Sequence, residues 1–545
     1  MSSEITIFSA KKIITMCRSR PEADHVAVRD GRVLGVGTLD ELAGWGEHTL
    51  NDRYANRIIM PGFVEGHSHV LEGAFWRYIY VGYFDRTDPE GMVWPGLKSI
   101  DQVVARLQEF AAKPEFADKP AVGWGFDPIY FSSRRMIAAD LDQVATDRPV
   151  IVMHASGHML NANRFILDAA GVGAETNVHG ILKDSDGNPT GELQELAAMF
   201  MAFEVACINP FADMGSAQCV RDFAAVAQRA GVTTATDLYA MLSPESTEQL
   251  RAVTSAEDYP IRLVPAYGAL SGSADEGIKL MKALSTQSTD KLRLGLIKMM
   301  TDGSIQGFTA RLKWPGYFNG APNGIWNAPP EELKAQFAAY HSAGFQIHIH
   351  TNGDEAIEVM LDAIEAALDE HPRRDHRHTL QHCQMASEAQ LERAAALGVC
   401  VNFFANHIYY WGEEHRSTTV GPERAHRLEP FATAHRLGVR YAMHSDAPVT
   451  PIGPLFTAWC AVERKTASGR ILGQEEQLSV DQALRTITLG AAYTLKMDHL
   501  VGSIESGKLA DFVILEEDPY TVPPNVLADV PVCGTVLGGR EFPNS

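Results

Sequence analysis

Seven cysteines in 545 residues, at 17, 207, 219, 383, 400, 460 and 533, are too few and too scattered for a disulfide framework. None stands in C-x-x-C spacing, which also excludes a thiolate zinc site, and reduced thiols point to a cytoplasmic chain. Positive charge is likewise short: 47 Lys and Arg against 68 Asp and Glu leave a net −21. That balance repels nucleic acid and anionic lipid. No apolar run approaches the ~20 residues that a membrane-spanning helix needs. The opening Met1-Ser-Ser-Glu-Ile-Thr-Ile-Phe lacks the basic-then-apolar order of a secretory signal. No G-x-G-x-x-G follows a strand pattern, which removes a dinucleotide site. Internal repeats and low-complexity tracts are missing too. What remains, 45% hydrophobic and 21% charged residues, is the composition of a globular enzyme. The expected partner is a small-molecule substrate, with neither nucleic acid nor membrane; homo-oligomerisation stays open.

At this length a large catalytic domain with a smaller companion is expected. Residues 4–60 read as short strands and turns, among them Val26-Ala-Val and Val33-Leu-Gly-Val around Asp30-Gly31, a hairpin signal. The runs Asp511-Phe-Val-Ile-Leu and Cys533-Gly-Thr-Val-Leu-Gly-Gly read the same way. We therefore expect a composite β-sandwich built from 1–60 and 495–545. Between them, strand and helix patterns alternate. Eight strand candidates, the first ending at His69, favour a closed parallel (β/α)8 TIM-like barrel over 61–494 within the α/β class. Residues 72–225 break that rhythm and are too long for a loop. They read as an inserted subdomain over the barrel mouth.

Barrel active sites lie at the C-terminal ends of the strands, so the residues there carry the chemistry. Gly66-His67-Ser68-His69 follows the apolar run Ile58-Ile-Met-Pro-Gly-Phe-Val64. Two histidines of one strand parity face the same way and make half of a metal site. Lys298 stands in Leu294-Gly-Leu-Ile-Lys-Met-Met, His348 and His350 end Phe345-Gln-Ile-His-Ile-His, His382 ends His378-Thr-Leu-Gln-His, and Asp446 ends Tyr441-Ala-Met-His-Ser-Asp. Singly, each has a bland reading as a core, capping or snorkelling residue. Five strands ending in ligand-type residues argue jointly for one divalent metal centre.

The ordered set resembles the amidohydrolase superfamily, and more closely its YtcJ-like branch. It is carried by Pro61-Gly-Phe-Val-Glu-Gly-His-Ser-His, Lys298-Met-Met-Thr-Asp-Gly-Ser, His350-Thr-Asn-Gly-Asp, Gln381-His382 and Ser445-Asp-Ala-Pro-Val. Gly157-His158-Met-Leu-Asn-Ala-Asn163 and Gly507-Lys-Leu-Ala-Asp511 extend it over essentially the whole chain. The resemblance implies that His67 and His69 bind one ion beside Asp446. It implies that His350 and His382 bind a second, and that Lys298 bridges them as a carboxylated lysine. The ion is expected to be zinc, as one or two ions, with Asp446 as the catalytic proton shuttle. His348 is a second choice to His350. His444, of the same parity as Asp446, is expected to act behind the ligands, and Asp302 and Asp354 to orient loops. Two departures stand out: Glu65-Gly66 where the branch has Asp-x, and Gln381 where it has Glu.

Substrate contacts are expected from the aromatic runs around Trp124 and Phe126 and from Phe404, His407 and Trp411, all suited to an apolar or aromatic ligand. His158 joins them, and Arg311 or Arg424 could clamp a carboxylate. The expected function is metal-dependent hydrolysis of a C–N bond in an amide, N-acyl amine or cyclic amide. Ester, lactone or carbamate hydrolysis, deamination, and a non-catalytic binding role are the alternatives.

Overall fold

A computed structural model describes residues 4–116, 119–131, 134–178 and 180–544. Two compact units account for it, one of 1–69, 227–446 and 452–545, the other of 70–226 with 447–451.

The first unit contains the expected barrel. Its strands are β1 (Phe63–Glu65), β2 (Val232–Ala240), β3 (Arg262–Gly268), β4 (Leu296–Met300), β5 (Gln346–Thr351), β6 (Thr379–His382), β7 (Cys400–Phe403) and β8 (Arg440–Met443). They pair in parallel in the order of the chain, from β1 through to β8. Burial on both faces explains why they read as apolar runs rather than alternating ones. The helices between them cover the outside. Asp354–Glu370 buries Ile357, Met360, Leu361 and Ile364, and Glu388–Leu397 starts at a capping box of Ser387 with Gln390.

The barrel is nearly closed. Where β8 meets β1, side chains complete the joint: the buried Glu65 carboxylate accepts from Ser445 N–H at 3.2 Å and Ser445 Oγ–H at 3.0 Å. Asp446 N–H donates to His67 O at 3.1 Å.

Both chain ends contribute to one hydrogen-bonded sheet. Ile5–Ile14 pairs with Glu22–Arg29, Ile58–Pro61 and His48–Asn51, and Ile58–Pro61 pairs onward with Phe512–Leu515. Asp30 and Gly31 turn the hairpin with φ of +54 and +72, the left-handed pair that a type I′ turn requires. Phe8, Tyr54 and Phe512 pack in the core of this sheet. The Gly507–Asp511 run ends in a structural anchor, since the buried Asp511 carboxylate takes Arg262 Nε at 2.7 Å and Nη2 at 2.9 Å, tying this sheet to β3.

The second unit has its own six-stranded sheet, and helix Glu195–Ala206 packs on it. Trp124 lies in its core against Phe75, Trp76 and Tyr80. Among the described residues no helix is long and apolar enough to cross a membrane.

Candidate metal centre

β1 ends at Glu65, so His67 and His69 lie in the loop beyond it and not on its alternating face. Their rings stand edge to face, 5.3 Å apart. Loop geometry still brings both Nε2 atoms to 3.3 Å from one oxygen, Asp446 Oδ1. Asp446 also lies in a loop, beyond β8, at φ +54. A non-glycine residue in this region marks strain that the surrounding site must hold.

A buried amide fixes the tautomer of His67. His348 donates Nε2–H to Thr494 O at 2.9 Å, because a carbonyl only accepts. Its Nδ1 is then a lone pair, which takes Gln381 Nε2–H at 2.8 Å. Gln381 Oε1 in turn accepts His67 Nδ1–H at 2.8 Å and Asn402 Nδ2–H at 2.9 Å. His67 Nε2 therefore presents its lone pair to the site. Gln381, one of the two departures, thus does the orienting of a ligand without a charge. Asn402 was not singled out by the sequence; only its place on β7 beside Gln381 marks it. His348 is a link in this relay, which separates it from His350.

The same reasoning applies on the other side. His350 donates Nε2–H to Gly303 O at 3.1 Å, leaving Nδ1 to accept His382 Nε2–H at 3.1 Å. His382 Nδ1, 3.9 Å from Asp446 Oδ2, then carries the lone pair and among the described residues has no hydrogen-bond partner. Lys298, buried in β4, approaches His67 Nε2 at 3.4 Å. His444 stacks on His67, 4.5 Å between centroids. Two groups of potential ligand atoms converge: His67, His69 and Asp446, and His67, His382 and His444.

Burial dominates the electrostatics. Desolvation holds His67 and His382 well below the ordinary imidazole value, with Lys298 and neighbouring histidines adding to it. These rings are neutral, the state a cation needs. Burial lowers Lys298 to about 7, so a neutral amine is accessible. Burial alone would raise Asp446, but the hydrogen bond from His69 and the adjacent cationic groups hold it below the usual carboxylate value. Glu65 is pushed up to about 8 by burial, against the Ser445 donors that favour its charged form. Neutral imidazoles, one carboxylate and an unpartnered buried nitrogen fit a divalent transition metal.

Phe404 stacks on His444 at 5.0 Å and lies 5.9 Å from His382, so this aromatic residue does reach the centre. His407 stands 4.0 Å from Phe404 and sends Nδ1 to Glu429 Oε1 at 3.2 Å, with Trp411 at 5.2 Å. Glu429 carried no sequence signal. Other expected contacts find other work. Trp124 and Phe126 are fully buried packing residues of the second unit, Phe126 stacked on Phe131. His158, half-exposed in that unit, lies 3.5 Å from Glu195. Arg311 clamps Glu355 of the chain itself through Nε at 3.0 Å and Nη2 at 3.1 Å, and Arg424 donates to Val420 O. Arg311 thus spends its fork on the chain itself, where a ligand clamp was expected, while Arg424 commits its Nε alone. Asp302 accepts the N–H groups of Asn352, Gly353 and Arg311, and Asp354 that of Lys313.

Residues 55–542 match the family model described as "Amidohydrolase family". The chain is 26% identical over 544 residues to YtcJ of Bacillus subtilis (strain 168), covering 97% of each. It is 26% identical over 547 residues to the N-substituted formamide deformylase of Arthrobacter pascens, covering 95% of this chain and 94% of that one. The crystal structure of an uncharacterized metal-dependent hydrolase from Pyrococcus horikoshii OT3 superposes with a TM-score of 0.72 at 20% identity, over 96% of this chain and 99% of that one.

Proposed function

The chain belongs to the amidohydrolase family, and from that premise we propose that it hydrolyses the C–N bond of a small amide or N-acyl amine at a divalent metal centre. The observation that carries this reading is the meeting of His67 Nε2 and His69 Nε2 at Asp446 Oδ1, each at 3.3 Å. His67, His69 and Asp446 would hold the ion, with His382 offering Nδ1 beside them and His350 joining as its companion only by releasing the His382 N–H that its Nδ1 accepts. Lys298 would join them only as a carbamate or neutral amine, since an ammonium has no lone pair. Zinc is the ion we expect. When bound, it supplies Lewis acidity and lowers the pKa of water towards ~7.

Asp446 is the acid–base residue of this reading. Its ionised carboxylate takes a proton at Oδ1 or Oδ2 and returns it to the leaving nitrogen. His67 is held in register by Gln381, and Phe404 offers an apolar wall to the acyl or amine substituent. The similarity to a formamide deformylase favours N-formyl or short N-acyl amines as first substrates to test. The seven unpaired thiols support a reducing, cytoplasmic setting.

The test is a panel of N-formyl, N-acetyl and cyclic amides beside matched esters, with released acid and amine quantified. We expect amide turnover that is lost on dialysis against a chelator and restored by Zn2+. Undiminished turnover after metal removal would overturn the reading, and turnover of esters alone would replace the bond class.

A further inference from the structure

His444 is fully buried, yet among the described residues neither its Nδ1 nor its Nε2 has a hydrogen-bond partner. Buried polar nitrogens are almost always satisfied, so an idle imidazole in a core asks for a missing partner. The ring is held firmly. It is stacked between His67, at 4.5 Å and 25°, and Phe404, at 5.0 Å and 22°, with His382 at 5.0 Å.

Two of its neighbours have no proton to give it, and neither of their lone pairs lies within hydrogen-bond geometry of its nitrogens. The proton of His67 is committed to Gln381 and that of His382 to His350. Both therefore present lone pairs, His67 from Nε2 and His382 from Nδ1. Nitrogens of His67, His382 and His444 all lie within 4.8 Å of one another. Three buried imidazoles then bring nitrogens together, with no hydrogen bond among the described residues at His382 Nδ1 or at either nitrogen of His444, and with Lys298 Nζ 3.4 Å from His67 Nε2. Their chemistry suits a borderline ion such as Zn2+, Co2+ or Ni2+, and not Mg2+ or Ca2+, which take oxygen ligands.

We infer that His444 is itself a metal ligand, closing with His67 and His382 an all-imidazole seat beside the His67, His69 and Asp446 set. His67 has one nitrogen, Nε2, that Gln381 does not hold, and Lys298 Nζ lies 3.4 Å from it, so the two sets compete for a single ion through that nitrogen. The inference rests on the metal-dependent reading of the centre, and it assigns a ligand role to the residue that directly follows β8, two before Asp446.

X-ray absorption at the metal edge of the full-length protein, loaded with one equivalent of Co2+, counts the imidazoles around the ion. Chelator competition gives its affinity. Wild type should show three or more imidazoles. His444→Phe, which keeps the stack with Phe404, should lose one imidazole and bind Co2+ about 10-fold more weakly or worse, with the melting temperature of the metal-free protein unchanged. Two imidazoles in wild type would overturn the inference whatever the variant does, as would an unaltered count and affinity in His444→Phe. Wild type that takes up no metal would instead remove the metal-dependent reading itself. A merely structural His444 would lower the metal-free melting temperature and leave the imidazole count alone.

Discussion

Replacing Gln381 with methionine keeps the volume of the side chain and removes all three of its hydrogen bonds. The partners left behind are His67 Nδ1–H, Asn402 Nδ2–H and the His348 Nδ1 lone pair, each at 2.8–2.9 Å in wild type and each on a buried residue. A buried group deprived of its partner costs about 1–3 kcal/mol. Three such groups, relaxing together, should cost about 4 kcal/mol. Against total stabilities of about 5–15 kcal/mol the variant should still fold. A second effect is separable from the first. Released from Gln381, His67 loses its tautomer lock, and a lost orienting bond of this kind typically weakens metal by about 10–100-fold. Urea unfolding with metal chelated reads the stability loss; competition with a chromophoric chelator reads the affinity. Gln381→Glu separates the two arms: its carboxylate still accepts from His67 and Asn402 but offers nothing to His348. It should retain metal and lose stability. A methionine variant within about 1 kcal/mol of wild type in stability and within twofold in metal affinity would refute the relay.

Asp446→Asn keeps the shape of the site and removes the base, so hydrolysis should fall about 10²–10⁴-fold, measured on protein whose metal content is matched to wild type. Asp511→Ala strands the buried Arg262 guanidinium, whose other carboxylate, Asp290, is exposed; loss of one partner of a buried pair costs about 3–5 kcal/mol, and chemical denaturation showing less than 1 kcal/mol would refute the anchor. His378 is held well below 6.5 and His415 at about 3, both by burial, so the unfolded chain binds more protons than the folded one below about pH 6.5. Their stabilisation is complete above that pH and lost as it falls. The two together should cost about 2 kcal/mol between pH 6.5 and 5.5 in chelator, and a flat unfolding midpoint across that range would contradict it.

The barrel was legible because its strands are buried on both faces and spell apolar runs that helices separate. The ligand candidates were legible because they end those runs. The relay was not. Gln381 and Asn402 look like ordinary polar strand residues, and only the pairing of β6 with β7 sets Asn402 beside Gln381. His444 announced its parity with Asp446 but not its idle nitrogens, which only the stacking of the ring between His67 and Phe404 brings about. Trp124 misled because an aromatic next to glycines reads the same whether it faces a ligand or a core. Arg311 misled because its partner, Glu355, lies 44 residues away.

The Glu65–Ser445 joint carries a meaning for assembly. The contact spans 380 residues of chain, and closing a loop of that length costs about 5 kcal/mol of chain entropy. It is therefore suited to form last, after neighbouring strands have zipped pairwise. His67 and His69 sit on one bank of that joint and Asp446 on the other. An ion shared between the banks would act as a molecular clasp, binding only chains that have closed correctly and resisting their reopening. Metal uptake during refolding would then report ring closure, making loading a checkpoint on the finished barrel.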